Sequence, residues 1–265
     1  MRLNMIYFLA FVICFLASIV GAICGIGGGV IIKPVLDAVG MMDVSSISFL
    51  SGCTVLAMST YSVVKSKMSR ESKIETKTGL PLAIGAAVGG IIGKVIFQFL
   101  ISISKEQDKV GAIQAICLII ITVGTLLYTV YKNHIKTYHL TNIIVCLTIG
   151  VILGILSSFL GIGGGPINLV VLFFFFSMST KIAAENSLYI IFFSQITSIL
   201  QSLITGNVPE FAIEVLVLMV VGGICGGICG RLFNQKIEDA TVDKLFISLM
   251  AVIILVNIYN FCKFI

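Results

Sequence analysis

Eight apolar runs, near residues 5–25, 44–64, 79–101, 110–130, 141–160, 183–204, 209–231 and 242–262, follow one another with only short polar breaks between them. A helix needs roughly 20 mostly apolar residues to cross a bilayer, where it satisfies its own backbone hydrogen bonds. A soluble surface is not available to this chain, which is 58% apolar and 11% charged with a mean hydropathy of +1.14, against about a quarter charged residues in soluble domains. The sequence therefore predicts an all-α, polytopic helical bundle of about eight transmembrane helices, multi-pass in the cell membrane with the lipid bilayer as its main partner.

Two further apolar stretches, about 28–40 and 165–178, are too short for an ordinary crossing and suit half-helices. Each follows a cluster of glycines, "CGIGGGVIIKPVL" from Cys24 and "LGIGGGPINLVVL" from Leu160, at an offset of 136 residues. A second pair, "GAAVGGIIGK" (Gly85 to Lys94) and "GGICGGICGR" (Gly222 to Arg231), recurs at 137, and "FLS" (Phe49 to Ser51) falls opposite "ENS" (Glu185 to Ser187). The chain reads as a duplicated four-helix unit with glycine-broken half-helices, residues 1–131 and 132–265, forming one integrated transmembrane domain. If the short stretches dip and return, the halves are parallel; if they cross, the halves are inverted. Eight crossings and parallel halves are expected.

The net charge of +5 does not point to nucleic acid, because the basic residues lie in short loops rather than along one face. The loop Lys65 to Lys77 carries five Lys/Arg, and the loop Tyr131 to His139 adds Lys132 and Lys136, against Lys105, Lys109, Lys181 and Lys236 on the opposite side. With each run crossing once, the positive-inside rule places both termini in the cytoplasm. The N-terminus imitates a signal peptide with Arg2, an apolar core and "VGA" (Val20 to Ala22). The run before the second glycine cluster has the same length and sequel, so the first is expected to be a retained helix.

The eight cysteines form no CxxC pair, and no histidine stands near them to complete a metal set, so they are read as packing residues and no metal or cofactor is expected. No HExxH occurs and both histidines sit in a loop, which leaves no catalytic constellation for an enzyme. Neither glycine cluster is a dinucleotide motif, since Val30 and Pro166 stand where the third glycine of GxGxxG belongs.

The glycines at 25, 27, 28 and 29, and at 161, 163, 164 and 165, open the backbone to angles other residues avoid. A helix restarting after such a break offers free N–H groups and the positive end of its dipole to an anion. Pro166 suits the first turn of the restarted helix. These eight glycines with Asn168, Ser51, Asn186 and Ser187 are the candidate substrate-binding residues. Glycines 85, 89 and 93, and 222, 226 and 230, repeat every four residues and suit close helix packing. Lys94 and Arg231 end these ridges and either reach the interface or balance an anion; Glu185 is a candidate for coupling. Lys33 has no counterpart, since Leu169 occupies its place in the second cluster.

The paired "GIGGG" segments, the paired "GxxxGGxxGK/R" helices and the duplicated layout resemble, over nearly the whole chain, the sulfite exporter TauE/SafE permeases, also called the 4-toluene sulfonate uptake permease group. The resemblance implies a permease or exporter for small anions such as sulfite, sulfonates or sulfoacetate, driven by an ion gradient. Glu185 stands where the resemblance leads one to expect a small or neutral residue. A membrane assembly or maturation partner without transport of its own is the alternative.

Overall fold

The computed structural model describes residues 2–40, 42–68, 74–104 and 106–265. Ten α-helices account for most of them: α1 (Arg2–Cys24), α2 (Gly29–Val39), α3 (Val44–Met68), α4 (Thr76–Ser104), α5 (Gln107–Tyr131), α6 (Ile143–Leu160), α7 (Gly165–Phe176), α8 (Thr180–Ile204), α9 (Ile213–Lys236) and α10 (Asp239–Phe264). No strand occurs among the described residues. Eight of the helices are long and apolar enough to cross a membrane, as the hydropathy predicts; α2 and α7, at 11 and 12 residues, are the exceptions.

The direction of each helix follows from which residues meet. Gly222, Gly226 and Gly230 abut the carbonyls of Phe11, Phe15 and Ile19, so α1 and α9 lie side by side in the same direction. Gly85, Gly89 and Gly93 meet the carbonyls of Leu147, Val151 and Ile155, which pairs α4 with α6 in the same way. These contacts need glycine, because a methyl group would overlap the facing backbone. The four-residue ridges are thus packing surfaces of the small-residue kind, and Gly150 and Gly154 of α6 complete the second one against Leu82 and Ala86.

At the centre, α3 runs with α9, since Gly223 faces Thr54 and Gly227 faces Met58. It runs against α8, since Gly52 faces Gln195 while Ser66 Oγ donates to Glu185 Oε2 at 2.7 Å. α5 and α10 are also antiparallel: Gly111 meets the Phe264 ring at one end, and Lys132 pairs with Asp243 at 2.5 Å at the other. α2 follows α10, with Asn260 donating to the Pro34 carbonyl and Lys263 to that of Asp37. The chain reverses at every helix.

Two sequence expectations are corrected by this arrangement. α2 returns from its glycine break to the face where α1 began, so each half contains five alternating helices, an odd number. With residues 1–131 and 132–265 taken as the two sets of five, helices at matching places, α1 and α6 through α5 and α10, run in opposite directions, not in parallel as expected. The extra reversal also separates the termini from the basic loops. α1 begins and α10 ends at one face, here called the near face, whereas residues 65–68, 74–77 and 131–139 lie at the far face. Arg70, Lys73 and Lys105 lie outside the described residues.

Candidate functional site

The glycine clusters break their helices through positive φ. Gly25 and Gly27 stand at +74° and +71°, and Gly161, Gly163 and Gly164 at +66°, +83° and +88°, angles that a Cβ strains. Each break starts toward one face and reaches the middle of the molecule. Gly25 packs on Ala184, one turn into α8, and Gly161 packs on Ser48, one turn into α3; the two contacts are related by the same 136-residue offset. At the centre the breaks touch: a Cβ on Gly29 would stand 2.5 Å from the Ile162 carbonyl oxygen, and one on Gly165 would stand 2.8 Å from that of Ile26. The N-termini of α2 and α7 therefore converge, and neither Gly28 nor Gly164 provides a side-chain cap. Uncapped amides and two positive dipole ends face the same region.

Buried polar groups without partners surround these breaks. Ser18 Oγ lies against Gly28, and Asn168, fully buried in the first turn of α7, has both amide atoms unpaired beside Gly164. The hydroxyls of Ser48, Ser51, Ser158 and Ser187 are also buried and unpaired. Leaving such a group unsatisfied costs about 1–3 kcal/mol. Ser48 and Ser158 line a small cavity toward the near face, Ser18 and Asn168 lie at the breaks themselves, and Ser51 and Ser187 lie one turn to the near and far side of them.

A polar stripe connects this region with both faces. α3 contributes Ser51, Ser59, Ser62 and Ser66, and α8 contributes Ser187, Gln195, Ser198 and Ser202, all buried and related pairwise by the 136-residue offset. Two small cavities, each of about 10 Å³, open along it. The near-face cavity is lined by Ser48, Gly52, Lys94, Gly161, Gln195 and Ser198. The far-face cavity is lined by Ser62, Ser66, Glu185, Leu188 and Arg231.

The two cations occupy equivalent places but differ in their surroundings. Lys94 is 6% exposed and lies in no ion pair among the described residues. Its ammonium sits 5.0 Å from the centre of the Phe97 ring and 5.9 Å from that of Phe49. It also lines, with the carboxylate residues Asp43 and Glu210, a vestibule of about 650 Å³ that runs between α4, the start of α3 and the loop at Asn207–Glu210 at the near face. Arg231 donates to the Ser62 carbonyl at 3.1 Å and shares its cavity with Glu185, which stands at the place equivalent to Phe49. One cation thus faces a large vestibule between aromatic rings, and the other faces a small cavity with a carboxylate.

The structure brings the two glycine clusters and Asn168 together and sets Ser51 and Ser187 one turn to either side of the central pair Val55 and Ile191, which touch both breaks. Asn186 lies apart: its Oδ1 accepts from the Glu75 amide at 3.2 Å and its Nδ2 donates to the Ile182 carbonyl, which anchors the start of α4. Lys33 is buried in an ion pair with Asp37 at 2.6 Å within α2. Ser18, Ser48, Ser158 and Phe97 escaped sequence reasoning. The aligned stripe on α3 and α8 was detectable through the repeat offset. Among the described residues, no group of three or more His, Cys, Asp or Glu is placed to hold a metal.

Comparison with known proteins gives two findings. The family model "Sulfite exporter TauE/SafE" matches residues 10–256. The "Probable membrane transporter protein YunE" of Bacillus subtilis (strain 168) is 24% identical over 224 residues, covering 73% of this chain and 77% of that protein. No solved structure matches.

Proposed function

The chain belongs to the sulfite exporter TauE/SafE family of membrane transporters, and from that premise we propose that it carries small anions, namely sulfite, sulfonates or related organosulfur compounds, by alternating access. The observation that carries the anionic cargo is Lys94. A buried cation within a membrane is costly unless something balances it, and none of the described carboxylates pairs with it. The balancing charge then arrives from outside, through the vestibule that ends on Lys94.

From Lys94 the cargo passes along the α3–α8 stripe to the glycine breaks. There the amides of α2 and α7, with Ser18 and Asn168, replace its hydration, and Ser51 on the near side and Ser187 on the far side receive it before and after the Val55–Ile191 level. Irregular backbone at this depth fits such a role, being tolerated only where it is enclosed in protein or lines a water-filled space. On the far side Arg231 takes the place of Lys94, and Glu185 in the same cavity is the carboxylate available for coupling. Two features favour alternating access. The matching helices of the two halves run in opposite directions, as in transporters built from inverted repeats, and the two ends of the path are unequal, one continuing into a vestibule of about 650 Å³ and the other ending in a cavity of about 10 Å³.

The sidedness follows from charge. Lys65, Lys67, Lys77, Lys132, Lys136, Lys181 and Lys236 gather toward the far face, so that face is assigned to the cytoplasm and the termini to the outside. Thermal unfolding of the purified protein with sulfite, sulfonates, sulfate and carboxylates tests the reading. Stabilisation by at least one of the sulfur oxyanions, lost in Lys94→Gln, supports it, and stabilisation by none of them contradicts it.

A further inference from the structure

The polar stripe on α3 and α8 is interrupted once. Along α3 the sequence at four-residue spacing is Ser51, Val55, Ser59; along α8 it is Ser187, Ile191, Gln195. Val55 and Ile191 are fully buried, 136 residues apart, and lie at the same level of two antiparallel helices. The near-face cavity reaches α3 at Gly52 and the far-face cavity reaches it at Ser62, so Val55 stands between them, within a gap of roughly 15 Å along the helix axis.

The glycine breaks close on this pair. A Cβ at Gly27 would lie 3.4 Å from Ile191 and 3.5 Å from Val55, and one at Gly163 would lie 2.8 Å from Val55 and 3.2 Å from Ile191. Each apolar side chain therefore touches both breaks. Because positions 27 and 163 carry no side chain, the unwound backbone itself forms the wall around the pair. Ala22, Met58 and Leu188 complete the apolar cluster. At four-residue spacing all four flanking positions, Ser51, Ser59, Ser187 and Gln195, are polar, while Met58 and Leu188 extend the apolar cluster at three-residue spacing.

We infer that Val55 and Ile191 form the apolar seal between the two polar cavities, the constriction that an anion must part to cross; the inference rests on the transport reading above. A narrow apolar ring excludes water and hydrated ions, and a small charge without water or partners pays a large desolvation cost there. The seal opens when either glycine break moves, because each break contacts both side chains. Cargo bound at the near face thereby stays out of contact with the far face until α2 or α7 shifts.

The test uses the reconstituted full chain with two readouts. Nitrate flux into proteoliposomes reports leak irrespective of cargo identity, and sulfite-induced thermal stabilisation in detergent reports the anion site. The variant Val55→Ala/Ile191→Ala is expected to raise nitrate flux on the order of tenfold over wild type, without saturation, while sulfite stabilisation persists. Ile191→Val, which removes one methylene, is expected to raise it less but in the same direction, and it decides the matter if the double variant does not fold. Nitrate flux at the wild-type level in the folded variants overturns the seal. If none of the sulfur oxyanions stabilises the wild type, it is instead the transport reading that fails, so the two are separable.

Discussion

Gly29 lies so close to Ile162 that a Cβ on it would stand 2.5 Å from the Ile162 carbonyl oxygen, and the neighbouring Val55 side chain would be 2.7 Å away. The two glycine breaks are held together by the absence of a side chain at this point. Gly29→Val is expected to force them apart at a cost of about 2 kcal/mol or more, read as a lowered unfolding temperature and abolished transport. Gly124→Ala provides the control, since position 124 is helical with nothing within 4 Å. It is expected to leave both readouts unchanged or to stabilise slightly.

On the transport reading, Lys94 sets anion affinity rather than folding. Replacing it with Gln removes a costly buried charge, so the variant is expected to unfold at the same temperature as the wild type or higher. Its apparent Kd for the cargo is expected to rise by at least about tenfold, since a partly desolvated charge pair is worth several kcal/mol. Lys94→Arg is expected to retain part of the affinity. Titration followed by tryptophan-free methods, such as calorimetry, measures this directly.

The glycine ridges make a different prediction. Gly89 meets the Val151 carbonyl and Gly226 meets that of Phe15, and both lie away from the cavities. Gly89→Leu and Gly226→Leu are expected to separate α4 from α6 and α1 from α9, each lowering stability by about 1–3 kcal/mol. Fluorescence-detected size exclusion after heating is the check. Cys225, exposed on the same helix as Gly226, is expected to tolerate Ala without a shift.

The orientation is testable by labelling. In a cysteine-depleted background, Asn207→Cys lies at the near face and Lys136→Cys at the far face. An impermeant thiol reagent added to whole cells is expected to label the first and spare the second. The reverse pattern overturns the assignment of the basic face to the cytoplasm.

Much of this fold is legible in the sequence because each constraint is local. Apolar run length fixes the eight long helices, and the four-residue glycine spacing identifies the ridges that pair α1 with α9 and α4 with α6. Direction is a different matter. Whether α2 returns to the face where α1 began depends on where its 11 residues end relative to Asn260 and Lys263, more than 220 residues away. Neither spacing nor hydropathy carries that information, and the sidedness inferred from the basic loops changes with it. At the site, the repeat offset brings out the glycine clusters, Lys94 and Arg231. The aromatic cradle of Lys94 is half legible: Phe97, three residues on along α4, is a neighbour by helical spacing, whereas Phe49 reaches the ammonium from α3 only through tertiary packing. Asn186 looks like a site residue by its neighbours in sequence, yet its amide is engaged with Glu75 and Ile182.

The central claim, an anion carried past Lys94, is tested most directly by sulfite and sulfonate uptake into proteoliposomes containing wild type or Lys94→Gln. The account predicts saturable flux of at least one of these anions in the wild type and a rise in KM of at least about tenfold in the variant. Equal flux and equal KM in two properly folded proteins, or no flux of any of these anions in either, would contradict it.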